Sequence, residues 1–403
     1  MFSFQNPMEI LKKIKPNKEE INAINNLTVE IFKKIKINNC TLELGGSIAK
    51  GTFLHKNHDI DIYAVFNPKE YQNKNISKIL ERELKKHYKI SVLKGSRNYF
   101  QIHKESYILE IIPIIKINKA SESLNITDIS PLHTKYVNKF KDKNQILLTK
   151  AFFKAQTVYG AESHIKGFSG YVIEILTIHY KTFNNLIKNI AKWKAKTIIG
   201  DSKLVQELNK SKKQSPLILL DPTDPKRNAA AALGKEKYQL IIKKAKQYTK
   251  NPSDLFFKEK PFTLPKTENN LIVIEATPLE GKRDVIGSKL LYCYEYIRKR
   301  LIFNDFKIIN SNWNWSGALA KFYYIIDRAQ LTKEKKHFGP PVDKKQAIKA
   351  FKKKWKNKTF HKEGNKIYIK VLREYIIAEE YIQHLIKKDK NLKSKAKTLK
   401  VVK

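Results

Sequence analysis

Apolar residues recur along this chain with two different periods, and the change from one to the other marks its elements. Across residues 18–37, Ile21, Ile24, Leu27, Ile31 and Ile35 follow the helical repeat and predict an amphipathic helix. Two short apolar runs come next, one entering Gly45-Gly46-Ser47 and one holding Asp59-Ile60-Asp61. Residues 77–87 read as a basic helix with Ser77 as its cap. Residues 89–93, 98–103 and 107–115 read as strands, with turn signals at Lys94-Gly95-Ser96 and Lys104-Glu105-Ser106. Ser169 precedes a helical run over 171–185, and a proline-punctuated loop at 221–228 feeds an alanine-rich helix over 228–247. Prolines mark 251–265 as a domain junction. Beyond it, 271–276 reads as strand, 284–300 as helix, and 306–309 and 318–326 as strands. This β-α-β-β order predicts a small antiparallel sheet backed by a helix, like an RNA-recognition fold without its aromatic stacking pattern. Gly339-Pro340-Pro341-Val342-Asp343 should start a lysine-loaded helix through Trp355. A strand pair within 358–371 and a helix over 374–387 follow, and residues 388–403 should fray.

The second apolar run carries candidate chemistry. Strand alternation puts Asp59 and Asp61 on one face and Ile60 and Ile62 on the other. Two carboxylates side by side on a mostly buried strand are costly unless a cation lies between them. Hard oxygen ligands favour magnesium, held by one or two carboxylates plus substrate phosphates. The glycines let backbone approach a phosphate closely, and the Ser47 hydroxyl can donate to it. A lone D-x-D or Gly-Gly-Ser is common on surfaces; together, at this spacing, they point to nucleotidyl transfer. Glu110 shares a strand face with Ile108 and Ile112, so it is an edge residue or a third metal ligand, with Glu105 at the turn as fallback. Lys150 and Lys154 lie one helical turn apart, and Tyr159 follows in a glycine-ended loop. Ammonium and phenol groups can bind triphosphate oxygens, Ser169 can aim free helix amides at an anion, and Arg227 offers a planar fork. These residues read equally well as a solvated face, an ordinary cap and a surface ion pair.

Charge narrows the choice of partner. The 403 residues hold 80 Lys and Arg against 38 Asp and Glu, a net charge of +42 spread over every region. Such an excess calls for a large polyanion, RNA or DNA ahead of an anionic membrane surface. Hydrophobic residues at 41%, with 20 Phe, 19 Tyr and 4 Trp, exclude a wholly disordered chain and suffice for two or three cores. Cys40 and Cys293 lack metal-ligand spacing and read as reduced thiols. No secretory signal and no membrane-length apolar run are visible, so a soluble cytoplasmic protein is expected.

Residues 42–66 resemble the signature of the DNA polymerase β-like nucleotidyltransferase superfamily, which runs Gly-Ser, a short helix (here residues 48–54), then D-x-D. Five further blocks appear in order: Asp128-Ile129-Ser130-Pro131-Leu132-His133, Ile146-Leu147-Leu148-Thr149-Lys150, Tyr159-Gly160-Ala161-Glu162, Gly167-Phe168-Ser169-Gly170-Tyr171, and Asp221 to Ala230. With the signature they resemble the archaeal, class I CCA-adding tRNA nucleotidyltransferases from about residue 40 to 260. The resemblance implies a multidomain α+β fold. Its parts would be a polymerase β-like catalytic head with a mixed sheet over 1–140, a helical nucleotide-selecting neck over 141–260, and a tRNA-binding α+β body and basic tail over 261–403. It implies that Asp59 and Asp61 hold both Mg2+ ions and Glu110 the ion nearer the primer 3′-hydroxyl, although the family usually has Asp there. Gly46, Ser47, Lys50, Lys150 and Tyr159 match triphosphate-binding positions, and His133 and Arg227 match positions near sugar and base. The implied reaction adds C, C and A to the tRNA 3′ end from CTP and ATP. Implied partners are the tRNA acceptor stem and 3′ end, with a homodimer left open and no membrane. A poly(A) polymerase or oligoadenylate synthetase of the same superfamily, or an inactive RNA-binding protein, is the alternative.

Overall fold

The computed structural model describes residues 7–56, 59–266 and 270–402; Asn57 and His58 of the signature stretch and Lys403 of the tail lie outside them. The chain forms two compact units, residues 1–261 and 262–403.

In the first unit, five strands make a mixed sheet: β1 (Cys40–Leu44), β2 (Ile60–Phe66), β3 (Ser91–Leu93), β4 (Tyr99–Lys104) and β5 (Tyr107–Ile115), in the order β1-β2-β5-β4-β3. The central pair, β2 and β5, is parallel, and every other pairing is antiparallel. Ile60, Ile62, Ala64 and Phe66 alternate onto one face with Leu109, Ile111 and Ile115. There they bury against Ile24, Leu27 and Ile31 of the helix Lys18–Lys34 and Leu80 and Leu84 of the helix Ile76–Lys85. The first helix starts where Asn17 accepts from the Glu20 amide at 2.8 Å, with acids in its first turn and lysines in its last. The second is capped by Asn75, not Ser77, because the Asn75 side chain accepts from Lys78 N while the Ser77 hydroxyl donates to the Asn98 carbonyl. The helix expected over 48–54 is a single turn, Gly46–Ala49, because the chain folds inward at Thr52.

A second core in this unit gathers the helices Pro7–Ile14, Lys143–Ala155, Gly170–Tyr180, Phe183–Ile190 and Lys235–Lys250 around Phe152, Phe153, Phe168, Leu176 and Tyr238. Three sequence expectations shift here. The run over 171–185 is two helices, broken where Lys181 takes φ 70° and Thr182 caps the next segment. The loop over 221–228 is a hairpin, Leu217–Asp221 against Asp224–Asn228. The alanine-rich helix begins only at Lys235, because the Asn228 side chain accepts from the Leu219 and Ala230 amides and donates to the Leu217 carbonyl, fixing the alanines in a turn.

The second unit holds a four-stranded antiparallel sheet in the order Ile308–Trp315, Ala320–Ile326, Leu271–Thr277, Thr398–Val401. The helices Arg283–Phe303 and Ala378–Lys388 bury Leu290, Ile297, Leu301, Ile382 and Leu385 on one of its faces. The first strand of that order runs beyond 306–309, since its asparagines suit an edge and Trp313 and Trp315 pack inward. Two further expectations fail. Gly339-Pro340-Pro341 ends a strand, Glu334–Pro341, paired with Lys366–Leu372, and the helix starts later at Lys345. An edge position tolerates those prolines, which have no amide to donate. The basic tail is not frayed: Asp389 caps the turn Lys390–Lys393, Leu392 and Ala396 are buried, and Thr398–Val401 joins the sheet.

Candidate nucleotidyl-transfer site

Parallel pairing of β2 with β5 sets Asp61 directly beside Glu110, and β4 sets Gln101 beside Glu110 on the other side. All three lie on the face opposite the packed helices. Asp59 immediately precedes β2 and is exposed. Glu105 is at the exposed tip of the β4–β5 hairpin, five residues from the register that faces Asp61. Gln101 Nε2 donates to Glu110 Oε1 at 2.7 Å, which fixes one oxygen of that carboxylate.

Gly46 closes over the carboxylates with φ 55°, and a Cβ there would meet Asp61 Oδ2 at 1.7 Å. Only glycine fits that approach. Ser47 begins the turn behind it, and the Gly46 amide points at the Tyr63 hydroxyl, 3.4 Å away. Burial, then the charges of Glu110 and Asp59, push the Asp61 carboxyl up to about 7. Burial also raises Glu110, with Asp59 adding to the shift and the Gln101 bond opposing it. Among the described residues no three His, Cys, Asp or Glu side chains gather closely enough to cage a metal alone. The carboxylates nevertheless fit a divalent cation that keeps waters and substrate oxygens in its shell, since their mutual repulsion is what a cation relieves.

Beside this face is a buried polar cluster. Lys50 Nζ lies 2.9 Å from Glu174 Oε2, and Lys150 Nζ lies 2.7 Å from Glu174 Oε1. The Thr52 hydroxyl donates to Glu174 Oε1 at 2.6 Å and accepts from Lys150, which also donates to the Thr52 carbonyl. Burial alone would raise the Glu174 carboxyl, but the Lys150 and Lys50 ammonium groups outweigh it and hold it well below the usual range. Gly170, the first residue of its helix, has room for no side chain: a Cβ would meet Tyr159 Oη at 2.9 Å and come within 3.7 Å of Lys150 Nζ. Ser169 caps that helix by accepting from the Val172 amide at 3.2 Å. Lys154, one turn beyond Lys150, pairs instead with Glu259 at 2.9 Å on the surface.

A third group extends from Lys50. Its ammonium lies over the Tyr171 ring at 5.2 Å, and Tyr171 stacks on His133 with centroids 3.8 Å apart. Asp221 is the hub: it accepts from Tyr171 Oη at 2.9 Å and Arg227 Nη1 at 2.6 Å, and has His133 Nε2 at 3.3 Å. Burial works against its ionisation, but His133 and the Thr223 amide and hydroxyl hold it far below the usual carboxylate range. Arg227 keeps about a third of its side chain exposed. Asp128, in one of the sequence blocks, has a supporting part. It pairs with Arg97 and accepts from the Ile115 amide at 2.9 Å, tying the end of β5 to the segment that carries His133.

Three residues of this arrangement were not singled out from the sequence. Glu174 is one acid within the apolar helix stretch Val172 to Leu176, and Thr52 is hidden after a glycine turn. Asp221 sits inside a recognised block with no role assigned. The available signal was a charged residue on an otherwise buried helix face, which demands a partner.

Comparison with known proteins accords with this geometry. Residues 144–258 match the model of the tRNA nucleotidyltransferase second domain, and residues 276–399 that of the CCA-adding enzyme C-terminal domain. Residues 4–137 match the model of the Second Messenger Oligonucleotide or Dinucleotide Synthetase domain. A CCA-adding enzyme of Nanoarchaeum equitans is 38% identical over 310 residues, covering 74% of this chain and 76% of that protein. One from Methanosarcina barkeri is 28% identical over 93% of this chain and 87% of its own. Among solved structures, Cid1, described with RNA terminal uridylyl transferase activity, overlays with a TM-score of 0.50 at 13% identity. It covers 63% of this chain and 97% of its own, a likeness of fold alone. With identity of this level over three quarters of a relative, and family matches in both units, the chain belongs to the archaeal CCA-adding enzymes, the tRNA nucleotidyltransferases of the polymerase β-like superfamily.

Proposed function

We infer that this enzyme adds C, C and A to the 3′ end of tRNA from CTP and ATP, releasing pyrophosphate at each step. Residues 1–140 would act as the catalytic head, 141–260 as the nucleotide-selecting neck and 261–403 as the body that grips the acceptor stem. The observation that carries the reading is the pairing of Asp61 with Glu110 beneath the Gly46 turn, with the Lys50–Lys150 cluster alongside. Asp59, Asp61 and Glu110 would hold magnesium, which when bound neutralises phosphate charge and acidifies the attacking 3′-hydroxyl. The 3′-oxygen forms a bond to the α-phosphorus as the bond to the β-phosphate bridging oxygen breaks. Lys50, Tyr159 and the amides at the start of the Gly170–Tyr180 helix supply donors for the triphosphate and the departing pyrophosphate, and Lys150, whose N–H groups are taken by Thr52 and Glu174, adds its positive charge beside them. Ser47 and Gly46 hold the phosphate chain from the other side, and His133 and Arg227 bracket sugar and base.

The reading is tested with tRNA ending at the discriminator base, each nucleotide supplied alone and together, and the products sized. CTP alone should add two residues, ATP alone none, and the pair three. A lengthening adenylate tail from ATP alone would favour a poly(A) polymerase or oligoadenylate synthetase of the same superfamily. No described helix is long and apolar enough to cross a membrane. The tRNA substrate is what places the proposed reaction in the cytoplasm.

Two further outcomes follow from the electrostatics. A carboxyl raised to about 7 binds a proton more tightly folded than unfolded, so its contribution to stability is present at acid pH. That contribution is lost as pH rises from about 4 to about 7. Calorimetry without divalent ions should therefore show a fall in Tm over that window that Asp61→Asn reduces. Added Mg2+ should raise Tm more at pH 8 than at pH 6, where it competes with the proton; an equal gain at both would remove Asp61 from the ion site.

Selection between bases is assigned to Arg227, whose partly exposed fork is held by Asp221. Losing a bidentate contact to a base edge costs about 1–3 kcal/mol of discrimination. Arg227→Ala should accordingly raise misincorporation of UTP and GTP as well as slow the reaction. If every nucleotide is slowed by one common factor, Arg227 serves phosphate or structure.

A further inference from the structure

The two lysines beside the carboxylate face share one counter-ion, and it belongs to neither the metal group nor the base group. Glu174 lies on the Gly170–Tyr180 helix, 1% exposed, with one oxygen on Lys50 and the other on Lys150 and Thr52. The lysines come from different elements: Lys50 from the turn after Gly46, Lys150 from the middle of the Lys143–Ala155 helix. Glu174 is thus the point at which three chain segments are joined by charge.

The donors divide unequally around it. Lys150 uses all three N–H groups on protein, on the Thr52 carbonyl at 2.9 Å, the Thr52 hydroxyl at 3.0 Å and Glu174 at 2.7 Å. Lys50 has Glu174 at 2.9 Å as its hydrogen-bond acceptor, with its ammonium lying over the Tyr171 ring. Two ammonium groups converging this closely without an anion would repel each other in a medium that screens poorly. With Glu174 between them they form a fixed array of net charge +1 whose remaining donors are those of Lys50.

We propose that Glu174 is a positioning residue for nucleotide binding: it clamps Lys50 and Lys150 at one spacing so that Lys50 meets the triphosphate without reorganising. The inference rests on the nucleotide-site reading above. A polyanion arriving at Lys50 is met by a lysine already ordered, so little conformational entropy is lost on binding. The base is not involved, and CTP and ATP should depend on the clamp equally.

The test is steady-state kinetics of the full-length enzyme on tRNA ending in the discriminator base (CTP) or in CC (ATP). Glu174→Gln keeps the shape, removes the charge and sets an amide donor against an ammonium. KM for both nucleotides should rise by a common factor of roughly tenfold or more, with kcat falling less and tRNA affinity unchanged. Lys50→Ala alone should raise KM similarly, and the double variant should be hardly worse than either single one, because both break the same clamp. If Lys50→Ala leaves KM unchanged, the nucleotide-site reading fails. If Lys50→Ala raises KM and folded Glu174→Gln does not, or if their effects multiply, the clamp alone is overturned. Should Glu174→Gln fail to fold, Thr52→Val removes a donor to Glu174 and an acceptor from Lys150 and should raise both KM values roughly threefold; unchanged values overturn the proposal.

Discussion

Asp61→Asn is expected to abolish addition of both C and A, by about 10³-fold or more, while tRNA affinity stays within a few-fold. Asp61 sits where the Gly46 turn, the β2–β5 pairing and Glu110 converge, so no neighbouring acid can take its place. Replacing it with the near-isosteric amide removes a charge and leaves the packing of Ile60 and Ile62 behind it intact. Single-turnover assays with CTP on one tRNA and ATP on another separate this from selective damage. Residual activity within a few-fold of wild type in either would rule out the carboxylate assignment. Glu110→Gln should fall in the same direction, whereas Glu105→Gln, exposed at the hairpin tip, should stay near wild type.

A second large effect is expected from salt. With +42 net charge and lysines throughout both units, tRNA should be held mainly through its backbone. Binding through roughly six to ten phosphates predicts a loss of about 10³–10⁵ in affinity between 50 and 200 mM salt. A filter-binding series should give a linear log–log plot whose slope counts the neutralised phosphates. Removing the residues from about 271 on should flatten that slope and weaken tRNA binding strongly. An affinity indifferent to salt would mean that the charge serves something other than the nucleic acid.

The strand Ile60–Phe66 could be read from the chain because its pattern is local, and alternation sets Asp61 opposite Ile60 and Ile62; Asp59, expected on the same strand face, instead falls just before the strand and is exposed. Glu110 was harder, since its place beside Asp61 depends on a parallel pairing between strands that are not consecutive. Periodicity names a face but not a neighbour. Glu174 went unseen for a related reason. The helix Gly170–Tyr180 is apolar nearly all round, so one acid in it carries no period, and its partners come from two distant segments. Local composition also misled in the second unit, where Thr398–Val401 is a four-residue alternation set among lysines and prolines interrupt the pattern of Glu334–Pro341. Both strands lie at sheet edges, which demand less apolar alternation than central strands.

The edge strand Thr398–Val401 has a consequence for how the protein is made. It zips onto Leu271–Thr277 across a sequence separation of 121 residues, seen in the Thr398–Thr277 hydroxyl contact. During translation, Leu271–Thr277 leaves the ribosome early and waits for Ala320–Ile326 on one side and much longer for its neighbour on the other. Such distant pairing is slow, and until it forms a strand containing Ile272, Ile274 and Ala276 is open along one edge. Nascent chains halted before residue 398 would therefore be the aggregation-prone species. Joining the two ends of this unit and reopening it at an exposed loop should shorten the wait without altering the folded sheet.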